Sequence, residues 1–230
     1  MTKQKLQVRR FVAVLIIIFI SLFLIIRHDD MWQINQSPAI NDLNSRSLAQ
    51  VALESLEVKV KSSKTEYSRD QFGNGWASHM GCDTRNIILH RDMIDVVIND
   101  DCKVISGKLN DPYTGNMIEF SRGPKTSDDI QIDHVVALSN AWQTGAQDLT
   151  PEERKSLSND PLELLAVDGP ANQQKSDGDA SMWLPPNKSF RCQYVARQIA
   201  IKKKYKLWVT QAEKETISKI LSICPNQALP

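Results

Sequence analysis

"QIDHVVALSNAW", residues 131–142, decides how this chain is read. Within "DIQIDHVVAL" (129–138) apolar and polar residues alternate, which predicts a short strand running into a helix around Ser139–Gly145. Asp133 and His134 stand side by side at the strand's end. Successive strand residues point to opposite sides, so the two can serve one site only where the strand ends and twists. On its own such a pair is an ordinary polar strand end. Its meaning depends on the residues that join it.

Two later stretches supply the rest. "LELLAV" (162–167) predicts a returning strand that carries Glu163. "GPANQQKSD" (169–177) offers Asn172 and Lys175, with a helix predicted from Asn172 onward. Hydrolysis of a phosphodiester needs a base for water, a cation to take up phosphate charge, and ligands for that cation. His134 is the natural base, since imidazole titrates near neutrality. Asp133 and Asn172 supply the hard oxygens that Mg²⁺ or Mn²⁺ prefers, with positions left for water and phosphate. Lys175 either contacts a phosphate or faces solvent, and Asp177 reads as a surface charge.

The surrounding pattern predicts an α+β domain. "CKVISGKL" (102–109), "DPYTG" (111–115) and "NMIEFS" (116–121) read as strand, turn and strand, a β-hairpin. "TPEERKSL" (150–157) opens a helix on a capping-box pattern, and Thr210 with Glu213 opens the last one. "WLPPNKSFRCQYVARQIAIKKKY" (183–205) turns at its prolines and continues as a helix. The run "RQIAIKKKYK" (197–206) reads as a solvated helix face, with a track for a DNA backbone as the alternative. Trp76, Trp142, Trp183 and Trp208 are expected in the core rather than as stacking platforms. Asp83 and Arg85 either approach the substrate or brace a disulfide loop with a salt bridge. His28, His79 and His90 carry no partner pattern.

With these residues in view a resemblance becomes plain. A strand-borne "DH", a returning strand and "NQQKSD" on a helix resemble the ββα-metal site of HNH endonucleases. The wider frame, "GCDTRNIILHRD", "DPYTG", "IDHVVALSNAW", "NDPLELLAV" and "WLPPNKSFRCQYVARQ", is similar to the HNH family of the GmrSD C-terminal-domain type, over about 67–224. That resemblance implies an HNH-type ββα-metal core with additional helices, and metal-dependent cleavage of DNA. Carried over, His134 is the base, and Asp133 and Asn172 hold one divalent ion. Two positions depart from the family pattern. Ala137 replaces a proline. Glu163 replaces the middle asparagine, which in the family orients the histidine, and is expected either to accept the proton on the far nitrogen of His134 or to point to solvent from the strand. A catalytically impaired module that binds DNA or a surface partner is the alternative function.

The N-terminus has a different character. "MTKQKLQVRR" is basic and "FVAVLIIIFISLFLII" (11–26) is apolar except for Ser21. Sixteen such residues make a helix of roughly 24 Å at about 1.5 Å per residue, a little short of a bilayer core, and flanking cations can snorkel. The expectation is a cytoplasmic N-terminus (1–10), a transmembrane signal anchor (11–27), a juxtamembrane linker and helix (28–66), an exported nuclease-like domain (67–224) and a tail (225–230). Cleavage of the segment would instead release a secreted protein. Cys82, Cys102, Cys192 and Cys224 form no close pair of the zinc-binding kind. Two disulfides suit an exported domain, and of three pairings Cys82–Cys102 with Cys192–Cys224 is expected. The first 27 residues hold five of the 28 basic residues and none of the 27 acidic ones, leaving 23 basic against 27 acidic beyond them. That balance argues against a broad basic DNA-binding face. The implied partners are a DNA strand and, through the first helix, the membrane; no small-molecule cofactor is expected.

Overall fold

The computed structural model describes Ile20, Ser21, Phe23, residues 47–124 and residues 126–230. Residues 1–46 and 47–230 are separate units. In the first, Ile20, Ser21 and Phe23 are helical, and the rest of the expected anchor 11–27 lies outside the described residues. Among the described residues no helix is long and apolar enough to cross a membrane.

The second unit is α+β, with small antiparallel sheets. Its elements in chain order are α1 (Leu48–Glu54), β1 (Ser78–His79), β2 (Cys82–Asp83), α2 (Thr84–Asp92), β3 (Ile94–Ile98), β4 (Val104–Asn110) and β5 (Met117–Ser121). Next come β6 (Ile130–His134), α3 (Leu138–Gln143), α4 (Pro151–Ser158), β7 (Leu164–Asp168), α5 (Gly169–Lys175), α6 (Arg191–Lys204) and α7 (Gln211–Leu221). β3, β4 and β5 form one antiparallel sheet in that order, with the "DPYTG" turn joining β4 to β5. β6 and β7 form another, with Asp133 opposite Leu165 and His134 opposite Leu164.

That two-stranded sheet is the centre of the molecule because both its faces are buried. Ile130, Ile132, Leu164 and Ala166 pack with α2 residues Ile88 and Leu89. Leu165 and Val167, on the opposite face by strand alternation, pack with α1, α6 and α7. Just past β6, Val136 and Leu138 enter a third cluster with Phe72, Trp142 and Leu157. One hairpin-like pair of strands thus joins three apolar cores.

Several local signals are realised. Thr150 and Thr210 form reciprocal capping boxes with Glu153 and Glu213. Both expected disulfides are present, Cys82–Cys102 and Cys192–Cys224. Other expectations need correction. Of the linker and helix expected over 28–66, the helix found among the described residues is α1, which packs: Ala49, Ala52 and Leu53 bury into the core, and Val58 makes a parallel bridge to Val209. Residues 47–66 therefore belong to the compact unit rather than to a linker. α5 starts at Gly169 rather than Asn172, because Asp168 accepts from Ala171 N–H and Pro170 pre-sets the first turn. The basic run of α6 is not one solvated face. Arg197 donates to the Leu162 carbonyl (2.7 Å), and Lys202 is fully buried against Glu213 (2.9 Å) and the Trp208 carbonyl (3.0 Å).

Candidate active site

β6 presents Gln131 and Asp133 on one face, two residues apart, and α5 presents Asn172 and Lys175 on one face, three apart. The two spacings match. Asn172 Nδ2 donates to Gln131 Oε1 (2.9 Å), and Lys175 Nζ donates to Asp133 Oδ1 (2.8 Å) and the His134 carbonyl (2.7 Å). Asp133 Oδ2 accepts from the hydroxyl of Tyr113. Tyr113 arrives from the "DPYTG" turn. Asp111 in that turn accepts from Thr114 and from Asp168 N–H (2.9 Å), tying it to the end of β7. Burial pushes the Asp133 carboxyl above its ordinary value, while Lys175 and Tyr113 pull it the other way.

His134 lies on the opposite side of the strand. Its ring is 6% exposed in a stack with Trp76, at 5.8 Å between centroids and 5° between planes. Nε2 is 3.0 Å from the carbonyl of Ser158, the last residue of α4. A carbonyl only accepts, so Nε2 carries the proton and Nδ1 keeps its lone pair. Burial, then the nearby Arg69 charge, lower the histidine pKa to about 3. The ring is therefore neutral at physiological pH.

Glu163 does not meet the imidazole. It is fully buried, and both carboxylate oxygens lie 3.2 Å from Val136 N–H, while its own carbonyl accepts from Val135 N–H (2.9 Å). The expected bond to the far nitrogen of His134 is absent because the Ser158 carbonyl already occupies that nitrogen. Glu163 pins the backbone turn just after His134 instead. Burial pushes its carboxyl well above the ordinary value, against the opposing pull of Val136 N–H.

Asp133, His134 and Asn172 line one cleft of about 350 Å³, together with Arg69, Arg85 and Gln131. Arg69 and His134 also line an adjoining niche of about 120 Å³ walled by Phe72, Trp76 and Leu138. Arg85 holds the carbonyls of Ser127 and Ile130 (both 3.0 Å), and Asp83 caps α2 through Asn86 N–H (2.8 Å), so no Asp83–Arg85 salt bridge forms. Asp177 pairs with Lys64 at the surface (2.9 Å).

Asp133 and Asn172 both bring side-chain oxygens to the lining of the cleft. Asn172 Oδ1 has no hydrogen-bond partner among the described residues, while both Asp133 oxygens are engaged, by Lys175 and by Tyr113. Among the described residues no group of three or more His, Cys, Asp or Glu side chains could hold a metal, so any ion here keeps most of its ligands as water or phosphate.

Tyr113, Arg69 and the Ser158 carbonyl were not assigned roles from sequence, and Trp76, expected in the core, is half-buried and stacks on His134. A hydroxyl reaching twenty residues along the chain, and a backbone carbonyl, leave no pattern in residue types. Arg69 in "YSRDQFG" carried a readable charge but no spacing to the site.

Comparison with known proteins places these residues in a family. The family model described as the C-terminal domain of GmrSD restriction endonucleases matches residues 83–220. An uncharacterized secreted protein of Arthroderma benhamiae is 37% identical over 190 residues, which cover 81% of this chain and 90% of that protein. No solved structure matches.

Proposed function

This chain belongs to the GmrSD restriction endonuclease C-terminal-domain family, and from that premise we propose that it is an exported, metal-dependent HNH endonuclease acting on DNA. The observation that carries the proposal is His134: neutral, with its Nε2 proton committed to Ser158, and sharing a cleft with Asp133, Asn172 and two arginines.

In the reaction Nδ1 of His134 takes a proton from water as the hydroxyl oxygen bonds to phosphorus. The phosphorus–oxygen bond to the leaving sugar breaks, and that oxygen gains a proton from solvent. A pKa of about 3 in the free protein keeps the base neutral, and the phosphate's negative charge raises it once substrate is bound. Arg69 and Arg85 face the cleft as cations for the phosphate oxygens. Asp133 and Asn172 are the residues that would hold a divalent ion, which supplies Lewis-acid stabilisation of phosphate charge when bound. Lys175 and Tyr113 orient the Asp133 carboxylate. Glu163 holds the Val136 N–H as an amide oxygen would, so the departure from asparagine leaves the turn intact.

Export is supported by the two disulfides and by the secreted relative. In this reading the apolar run 11–26 tethers the domain to the outer face of the membrane.

The test is plasmid nicking by residues 40–230 with Mg²⁺ or Mn²⁺, beside an EDTA control and His134→Ala. Loss of nicking in both controls is the expected result. Undiminished nicking by His134→Ala would remove the histidine from this role.

A further inference from the structure

We propose that a polar groove of about 550 Å³ on the far side of Trp76 is an extended subsite that carries the phosphodiester backbone of a DNA strand leaving His134. The inference rests on the nuclease reading and adds the route of the substrate.

The groove and the His134 niche share their walls. Trp76 stacks on His134, and the next three residues, Ala77, Ser78 and His79, line the groove. On the opposite wall Ser158 holds His134 through its carbonyl, and the adjacent Asn159 lines the groove and accepts from Ala77 N–H (2.8 Å). Lys155 ties the two together: its methylenes lie 3.3 Å from where a Cβ on Gly73 would stand, and Gly73 lines the niche. A strand passing His134 therefore has the groove beside it, reached past Trp76 and Gly73.

The charges suit a phosphate backbone. Lys155 is exposed and has no ion-pair partner among the described residues, so no carboxylate is bound to it; His79 is exposed as well and adds a ring nitrogen. The groove's carboxylate, Asp160, is held by Lys204 (2.5 Å) and the Tyr205 hydroxyl (2.8 Å). Ser156 and Asn159 add neutral donors. Backbone contacts of this kind position a strand without reading its sequence. Beyond residue 27 the chain carries 23 basic against 27 acidic residues, so a local cationic track has to do what a broad basic face does elsewhere.

The test compares wild type, Lys155→Glu and Lys219→Glu in the full chain. Lys219 is an exposed lysine of α7 that lines neither cavity. Two substrates are used: a single-stranded DNA oligonucleotide, and bis(p-nitrophenyl) phosphate, which fills only the cleft. Lys155→Glu should raise KM for the oligonucleotide several-fold, with kcat and the small-ester rate unchanged. Lys155→Ala should lower the slope of log affinity against log salt by about one. Equal effects of Lys155→Glu and Lys219→Glu, or equal losses on both substrates, would overturn the groove. Should wild type cleave neither substrate, the nuclease reading fails separately; fluorescence anisotropy of the oligonucleotide then decides the groove, with unchanged binding by Lys155→Glu refuting it.

Discussion

At the scale of single residues, the site is a set of buried charges that hold one another in place. Lys175 and Asp133 form a pair with side chains 0% and 6% exposed. Removing one partner of such a pair leaves an uncompensated charge, which costs about 3–5 kcal/mol. Lys175→Met is expected to destabilise by that order. The loss should shrink in acid, where the stranded Asp133 takes up a proton; urea melts at two pH values check both statements. His134 gives a second titration. Its ring binds a proton near 6.5 when unfolded and about 3 when folded, so between those values the unfolded chain is the better proton acceptor. Its contribution is complete above pH 6.5 and falls by about 1.4 kcal/mol per pH unit as pH drops through that window. Asp133 and Glu163, with raised values, act in the opposite direction. The difference between wild type and His134→Gln, measured in EDTA, isolates the histidine slope; parallel stability curves would disprove it. The spacing of Asp133, His134, Asn172 and Lys175 made them legible in the sequence. Glu163 was legible as a departure, but its partner was not, because which backbone N–H a buried carboxylate meets depends on the path of the turn.

At the scale of elements, α5 is placed by a close approach at its first residue. A Cβ on Gly169 would stand 2.2 Å from the Asp128 carbonyl oxygen, and Gly169 N–H donates to Asp129 O (2.9 Å). Gly169→Ala must push the helix away from the start of β6, carrying Asn172 and Lys175 with it. It is expected to cost about 1–3 kcal/mol, the usual range for overpacking, and to reduce nicking more than folding. A thermal melt beside a nicking assay separates the two, and full activity would show that the helix tolerates the shift. The strands β4 to β7, the "DPYTG" hairpin turn and the capped helices α4 and α7 were readable because their signals are local, whereas β1 to β3 were not assigned. The start of α5 lies three residues ahead of the expected one, since Gly-Pro after a strand resembles a loop until Asp168 is seen to cap it. Residues 47–66 resemble a stalk in sequence because their apolar spacing says that a face is buried, not against what.

At the scale of the whole molecule, three apolar cores meet at β6 and β7, while the covalent cross-links stand to either side of them. Cys82–Cys102 and Cys192–Cys224 span 20 and 32 residues. Each loop of that size is expected to contribute about 3–4 kcal/mol by the loop-entropy estimate. Melts of Cys192→Ser/Cys224→Ser against wild type measure the larger one. Neither bridge crosses 103–191, the interval that holds Asp133, His134, Glu163, Asn172 and Lys175, while Arg69 and Arg85 lie before it. If the domain is exported as proposed, this decides where a protease does harm. A cut within 83–101 or 193–223 leaves one covalent molecule, sewn across the nick. A cut in the largely exposed segment 126–129, just ahead of β6, leaves two pieces joined by packing alone. On a non-reducing denaturing gel the first kind of nick should be invisible and the second should split the band. Such a cut parts the piece that carries β6, β7 and α5 from the piece that carries Arg69 and Arg85, so a nick ahead of β6 would divide the proposed site between two fragments.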